Sequence, residues 1–577
     1  MHGRAVFRFA IFSICLASVA CLAQQVESAP SKPAPQVRQS AMNLVEEALA
    51  GTGSLTLPAN RLAIELRAFP IVWTHSEARA RALVQQMAGE FAQAATRSQD
   101  PDQNPQYVLN ILRNQRNGIA RGIASSDAEL ALLFVSATQP YLDDDAEDHA
   151  LVADLAAQVA LHDPKSALQL AEQQLKDSGD LPQSMVNLLE QVQRNDPEAG
   201  TQLFHDIIDH LKQQNLAEDS EGLCFAATLL GNQFSRQSET GKPDSLLQTL
   251  AEIVVTAAAG SNIAHEQPYV LADAMEALDA LVPAKAATLH SRNSNGAQVA
   301  SIQPSFWQKF NQATSSGDSN QTLALLSQVP EDARPQILQQ AAWNLANSGD
   351  LERTRLLADS LEPWQRNNVM QQAIRCAALA AGGRADFAAA RQLTAQITDD
   401  DSRATLLGDL AIFADGYGKL HLAEEMLGEA TSLVLSRTAG TSAFAAQLRV
   451  AQDYLRVKPA LAIPLLERSA NQIEQALSAA AQLDGFLPDR HSFEGSELIL
   501  DQGFLYNSLL EPYAQATAEL AGLDLPAARA LANRLPLLEA RLMTEVFVAA
   551  GALDQKDRMQ ATSAPTAGVQ LWMNGVR

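Results

Sequence analysis

The 577-residue chain is poor in aromatic residues, at 5 %, and in cysteine, with four. Four cysteines cannot staple a chain of this length, so its fold rests on buried apolar surface and not on a disulfide framework. No segment after residue 23 reaches the roughly 18 consecutive apolar residues that a membrane-crossing helix needs. Clusters of positive charge are missing too, with 42 Lys+Arg against 66 Asp+Glu and a balance of −24. Phosphate neutralisation needs grouped Lys and Arg, which excludes nucleic acid as a partner. Also absent are Gly-x-Ser-x-Gly, His-Glu-x-x-His, the P-loop and the dinucleotide glycine pattern, and with them the recognisable hydrolase, zinc-protease and nucleotide chemistries. What is present is 47 % hydrophobic residues, too many for disorder. A single core stops growing at about 250–300 residues, so the chain divides into domains or stacks a core along one dimension.

Arg4 and Arg8 precede an apolar run from Phe9 to Ala23 that ends in small residues before Gln24. That is the build of a secretory signal peptide over residues 1–23, with cleavage near Ala23. The alternative is a lipoprotein signal with Cys21 as the lipid anchor, but Ser18 stands where a Leu is usual. Cleavage removes two bases and no acid, taking the balance from −24 to −26. It leaves Cys224 and Cys376, both in apolar helical contexts, which read as small buried residues. Residues 24–40 read as a flexible leader and 556–577 as a flexible tail. The lone Asn-Gln-Thr sequon, at Asn320, in so long an exported chain points to a bacterium, where export means periplasmic or extracellular.

One pattern recurs between residues 315 and 432. Leu351, Thr354, Leu357, Ala358 and Leu361 fall at offsets 0, 3, 6, 7 and 10, one face of a helix. The same offsets return from Ser319, Phe387 and Leu420, so the starts are 32, 36 and 33 residues apart. Offset 3 is small each time. A turn precedes each run: Ser-Gly-Asp at 316–318 and 348–350, Gly-Arg-Ala-Asp at 383–386, Gly-Tyr-Gly-Lys at 416–419. Upstream lies a second amphipathic segment, such as Ile337, Leu338, Ala341, Ala342, Leu345 and Ala346. Isolated matches start at Glu77, Pro164, Pro197, Pro459 and Leu525, and Asp163-Pro164 and Asp196-Pro197 predict two capped helix starts 33 residues apart. The reading is all-α, an α-solenoid of stacked helix-turn-helix repeats with a period of about 33–36 residues. An N-terminal helical array over 41–290, a linker at 291–304 and a C-terminal array over 305–555 complete it, the last with an irregular segment at 484–504.

With Ala342, Ala378 and Ala411 at the small position of the first helix, and Thr354, Ala390 and Ala423 at that of the second, residues 315–432 resemble the tetratricopeptide repeat family. Gly-Asp-Leu at 349–351 and Asp-Phe at 386–387 fall where that family turns, although the second helix is short. The resemblance implies a superhelix with a concave binding face lined by first helices, and it implies no reaction.

Candidate chemistry is sparse. His205 with Asp209, and Asp206 with His210, are i, i+4 pairs with metal-ligand spacing, but no third ligand is nominated and a polar helix face is the simpler reading. The runs Asp143–Asp148 and Asp399–Asp401 lack the order of a calcium loop and read as helix N-caps. In 484–504, Asp489, His491, Glu494 and Glu497 offer acid and base beside Phe486, Phe493 and Tyr506. The plainer reading is a loop packing its aromatics on helix ends. First-helix amides at Gln336, Gln339, Gln340, Asn344, Asn347, Gln371 and Gln372 carry the donors and acceptors a peptide backbone needs. No catalytic, cofactor or metal residue is assigned. The expectation is an exported, non-catalytic helical-repeat protein that binds a protein or peptide or scaffolds the envelope; the alternative is an α/α-scaffold enzyme acting on polysaccharide or peptidoglycan through 484–504.

Overall fold

The computed structural model describes residues 35–97, 105–142, 146–177, 181–238, 245–260, 271, 274–293, 313, 319–326, 334–436, 440–484, 492–500 and 503–553. The expected signal peptide with Cys21, the expected linker beyond residue 293 and the expected tail lie outside them. Among the described residues the fold is all-α, broken by one two-stranded hairpin, Phe493–Glu494 with Glu497–Leu498. It is a solenoid of stacked helix pairs. No helix among them is long and apolar enough to cross a membrane. The chain divides into two compact units, one holding Met1–Ala68 with Ile302–Asp557, the other Phe69–Ser301 with Arg558–Arg577.

In the first unit, long first helices alternate with second helices. Arg334–Ser348 pairs with Leu351–Ala358, Pro363–Gly383 with Phe387–Thr394, Asp400–Gly416 with Leu420–Leu435, and Thr441–Val457 with Ala462–Leu483. Each first helix also packs on the next first helix. The small offset-3 residues explain the close stacking: Thr354, Ala390, Ala423, Ala462 and Ala528 are all fully buried. So are Ala342, Ala378 and Ala411 on the first helices. A large side chain there would hold the neighbouring backbone away, and each buried Leu or Met beside it contributes about 1.5–3 kcal/mol.

Three successive turns share one backbone device. Gly349, Ala385 and Gly418 have φ of 74°, 61° and 71°, and each stands one residue before its second helix's N-cap. The N–H groups of Asp350, Asp386 and Lys419 then reach back five residues to Leu345, Ala381 and Ala414 carbonyls. This is a Schellman closure, which needs a left-handed residue. Gly349 has a second reason to lack a side chain, since an added Cβ would stand 3.1 Å from the Ala377 nitrogen.

The first unit takes in a segment distant in sequence. The helix starts at Pro35, inside the expected leader, and Pro35–Thr52 packs on Leu538–Ala552. The N-terminal array was expected to begin at 41, yet the residues up to Ala68 belong with the C-terminal array. Between Glu539 and Ala552 all residues except Arg541 are buried, as for a helix covered on every side. A terminal repeat that exposes its stripe is unstable, and Pro35–Thr52 supplies the cover. Gly551 lets the last helix touch Glu511–Ala521, because a Cβ there would lie 1.9 Å from the Ala518 carbonyl oxygen.

The second unit repeats the scheme. Ala146–Val159 packs on Ser184–Asn195, and Pro164–Asp177 on Pro197–Leu211, so first helices meet first helices and second meet second. Asp163 and Asp196 are the predicted caps, accepting from the N–H groups of Ser166 and Ala199 at 3.1 Å each. Gly200, at offset 3, is buried against Gln193, whose Cα would be 2.5 Å from an added Cβ.

Candidate functional site

The first helices of the C-terminal array carry a continuous polar ladder. Gln340 donates to Asn344 at 3.2 Å, and Gln372 donates to Asn347 at 3.0 Å and to the Cys376 sulfur at 3.4 Å. One turn on, Arg375 donates to Asp409 at 3.3 Å, and Arg449 donates to the same carboxylate at 2.7 Å. Gln452 then donates to Glu519 at 3.0 Å. Steps of three or four residues within a helix alternate with bonds between helices, so the side chains form one stripe across successive pairs. Arg375 and Arg449 keep side-chain exposures of 46 % and 39 %, although the Arg449 Nε is itself buried without a hydrogen bond. The stripe offers carbonyl acceptors, amide donors and two cations, the set that recognises an extended backbone and a carboxylate.

The second helices are closed by ion pairs of their own. Arg391 bridges Glu425 at 2.8 Å and Glu429 at 3.0 Å, and Lys458 reaches Glu424 at 2.9 Å. Arg391–Glu425, Lys458–Glu424 and Arg375–Asp409 all span 34 residues, the repeat length written in charges. Exposed pairs of this kind contribute about 0–1 kcal/mol each and mainly fix register.

One member of the stripe is unusual. Asp453 has a side-chain exposure of 1 %, and neither carboxylate oxygen has a hydrogen-bond partner. Its nearest cation is the Arg449 Nε, 3.5 Å away. The carboxylate lies against Gly408, where an added Cβ would fall 1.9 Å from Oδ2. Burial, only partly offset by Arg449, pushes the carboxyl up to about 7.

The other sequence candidates are placed as follows. His205 is exposed with Asp209 at 3.4 Å, Asp209 binds Lys212 at 2.8 Å, and His210 contacts Gln214 at 3.1 Å. No group of three metal-ligating side chains occurs among the described residues. Of the acidic runs, Asp399 caps Asp400–Gly416, accepting from the Ser402 N–H at 2.8 Å, and buried Asp401 accepts from the Ser442 hydroxyl at 2.7 Å. In the other run Asp143–Asp145 lie outside the described residues, while Asp148, within Ala146–Val159, is an ion-pair partner and not a cap. It is buried inside the second unit against Arg116, itself fully buried, with the Arg113 Nε 3.6 Å away. Burial holds the Arg116 guanidinium below its ordinary range despite that partner. Cys224 and Cys376 form no disulfide and are half-buried rather than fully so.

In 484–504, Glu497 is fully engaged. It accepts from the Thr56 backbone N–H, the Thr56 hydroxyl at 2.7 Å, the Leu57 N–H at 3.1 Å and the Asn60 amide at 3.2 Å. Phe493 and Tyr506 are buried, and Glu494 is exposed. Asp489, His491 and Phe486 lie outside the described residues. A carboxylate holding four donors at a helix start is a cap and has no lone pair free for a substrate proton. Sequence reasoning found Gln340, Asn344, Asn347 and Gln372 of the stripe and missed Arg375, Asp409, Arg449, Gln452, Asp453 and Glu519. The signal available was an acid inside an apolar helical text, as in Leu407-Gly408-Asp409-Leu410 and Ala451-Gln452-Asp453-Tyr454.

No family model matches the chain, and no curated protein matches it either. One solved structure similar to it is a circular tandem repeat protein with novel repeat topology and enhanced subunit contact surfaces. The two are 15 % identical, over 91 % of this chain and 98 % of that one, with a TM-score of 0.18. A likeness of that degree leaves function to the residues of this chain.

Proposed function

We propose that this chain is an exported tetratricopeptide-like protein of the bacterial periplasm or exterior, which binds an extended protein segment along the first helices of its C-terminal array. It carries no reaction of its own. The observation that supports this reading most is the polar stripe from Gln340 to Glu519, which places amides and two half-exposed guanidiniums on successive first helices. A stripe spaced by the repeat matches a ligand that is itself periodic, as an extended peptide is. Arg375 and Arg449 favour a segment with a carboxylate at one position. Immobilised mature chain should capture a partner from envelope extract that the double variant Arg375→Ala, Arg449→Ala captures at least tenfold more weakly. Equal capture by both proteins sinks the assignment of this face, and no specific capture under several conditions counts against a binding role.

A further inference from the structure

The joint between Asp400–Gly416 and Thr441–Val457 holds two carboxylates around one guanidinium. Arg449 donates from Nη2 to Asp409 at 2.7 Å, while its Nε stands 3.5 Å from Asp453 without a hydrogen bond. Asp409 has a second cation, Arg375; Asp453 has no hydrogen bond and 1 % exposure. The missing Cβ of Gly408 makes the room the Asp453 carboxylate occupies. We propose that Asp453 operates this joint by protonation: neutral, it leaves Arg449 with Asp409 and the helices closed; ionised, it draws Arg449 away from Asp409 and loosens the contact.

The charges around it are few. On its own helix stand Arg449 and Arg456, on Asp400–Gly416 Asp409, and on Glu511–Ala521 Glu519. Four further elements pack on Thr441–Val457. Leu420–Leu435 and Ala462–Leu483 meet it through uncharged groups, Thr431 with Tyr454 at 3.2 Å and Ser469 and Gln472 with Gln447 at 2.7 and 3.1 Å. Pro459–Leu461 carries no titratable side chain, and Tyr506–Leu510 brings the phenol of buried Tyr506. Glu424 binds Lys458 beyond the helix end. A buried carboxylate without a donor is costly in its charged form, so the proton released to solvent on ionisation must be replaced by a cation or by water. Arg449 is the cation within reach. Its departure leaves Asp409 to Arg375 alone and changes the stripe at its middle, whatever partner the stripe binds. The carboxyl, pushed up to about 7, makes the change near neutrality.

The test uses the full mature chain. Infrared difference spectra between pH 6 and pH 8 are expected to show loss of a protonated carboxyl band that Asp453→Asn lacks. Hydrogen exchange of Thr441–Val457, corrected for intrinsic chemistry, is expected to accelerate at least tenfold over the same interval in wild type and to stay level in Asp453→Asn. A band that survives in Asp453→Asn, or equal acceleration in both proteins, overturns the proposal. Should Asp453→Asn not fold, Asp409→Asn serves. It removes a repelling charge and the competitor for Arg449, so the carboxyl titration must move to lower pH, and an unmoved midpoint overturns the proposal equally.

Discussion

Glu497 and Asn60 are separated by 437 residues in sequence, yet the Asn60 amide donates to the Glu497 carboxylate at 3.2 Å. Asn60 also donates to the Leu498 carbonyl at 2.8 Å and accepts from the Leu500 N–H at 2.9 Å, so one side chain binds the hairpin three times. With Thr56 and Leu57 on the same carboxylate, the hairpin seals the start of Pro58–His75 into the C-terminal array. The hairpin Phe493–Glu494 with Glu497–Leu498 is a structural clasp.

Replacing that carboxylate should open the clasp. Glu497→Gln keeps the shape and removes the charge from four donors, and should cost about 2–3 kcal/mol. Limited proteolysis between residues 35 and 57 should become faster, whereas Glu494→Gln, at an exposed position, should change nothing.

The turns offer a change in each direction. Ala385 adopts φ of 61° without being Gly, so Ala385→Gly should stabilise the array by about 1 kcal/mol and raise its melting temperature. Gly349→Ala meets the same backbone penalty and the Ala377 nitrogen as well, and should destabilise by more than that gain.

In the second unit, Asp148→Asn would leave Arg116 buried with its charge unanswered. Breaking a buried pair in this way costs about 3–5 kcal/mol. Hydrogen exchange should quicken in Pro105–Ala124 and Ala146–Val159 and remain unchanged in Pro363–Gly383.

Stability of the first unit should peak in mildly acidic solution, from two opposed ionisations. Burial raises the Glu497 carboxyl, but the bonds from Thr56, Leu57 and Asn60 outweigh it and hold the group below its ordinary 4.5. Its contribution is complete above pH 4.5 and is lost as pH falls through the lowered value. Asp453 moves the other way, from 3.8 to about 7, so the stability carried by its proton is complete below pH 3.8 and is lost as pH rises towards 7. That loss is at most about 4 kcal/mol. Denaturant midpoints from pH 4 to 8.5 should fall between pH 4 and 7 for wild type and fall less over that interval for Asp453→Asn, since burial also raises the Glu539 and Glu545 carboxyls.

The stacked helix pairs were legible because burial at offset 3 is a local, periodic demand, and Thr354, Ala390 and Ala423 meet it in the text itself. Asp163 and Asp196 were legible for the same reason, as a cap is written within four residues of its helix. The clasp was not. Thr56, Asn60 and Glu497 each have ordinary local roles, and only the return of Pro35–Thr52 to the last helix brings them together. Asp148 read as a cap because its neighbours are acidic, while its true partner, Arg116, lies a helix away. Most amides of the polar stripe could be read as helix-face residues, but the carboxylates that tie Arg375 and Arg449 depend on which first helices are neighbours.

The proposed binding along the first helices is tested most directly by placing a photo-crosslinking residue in turn at Gln340, at Gln371 and, on a second helix, at Gln392, in the full chain within cells. The first two positions should crosslink to one and the same partner, Gln392 should not, and Arg375→Ala with Arg449→Ala should abolish both products. Crosslinking from Gln392 as strong as from Gln340, or products that persist without the two arginines, would contradict the account.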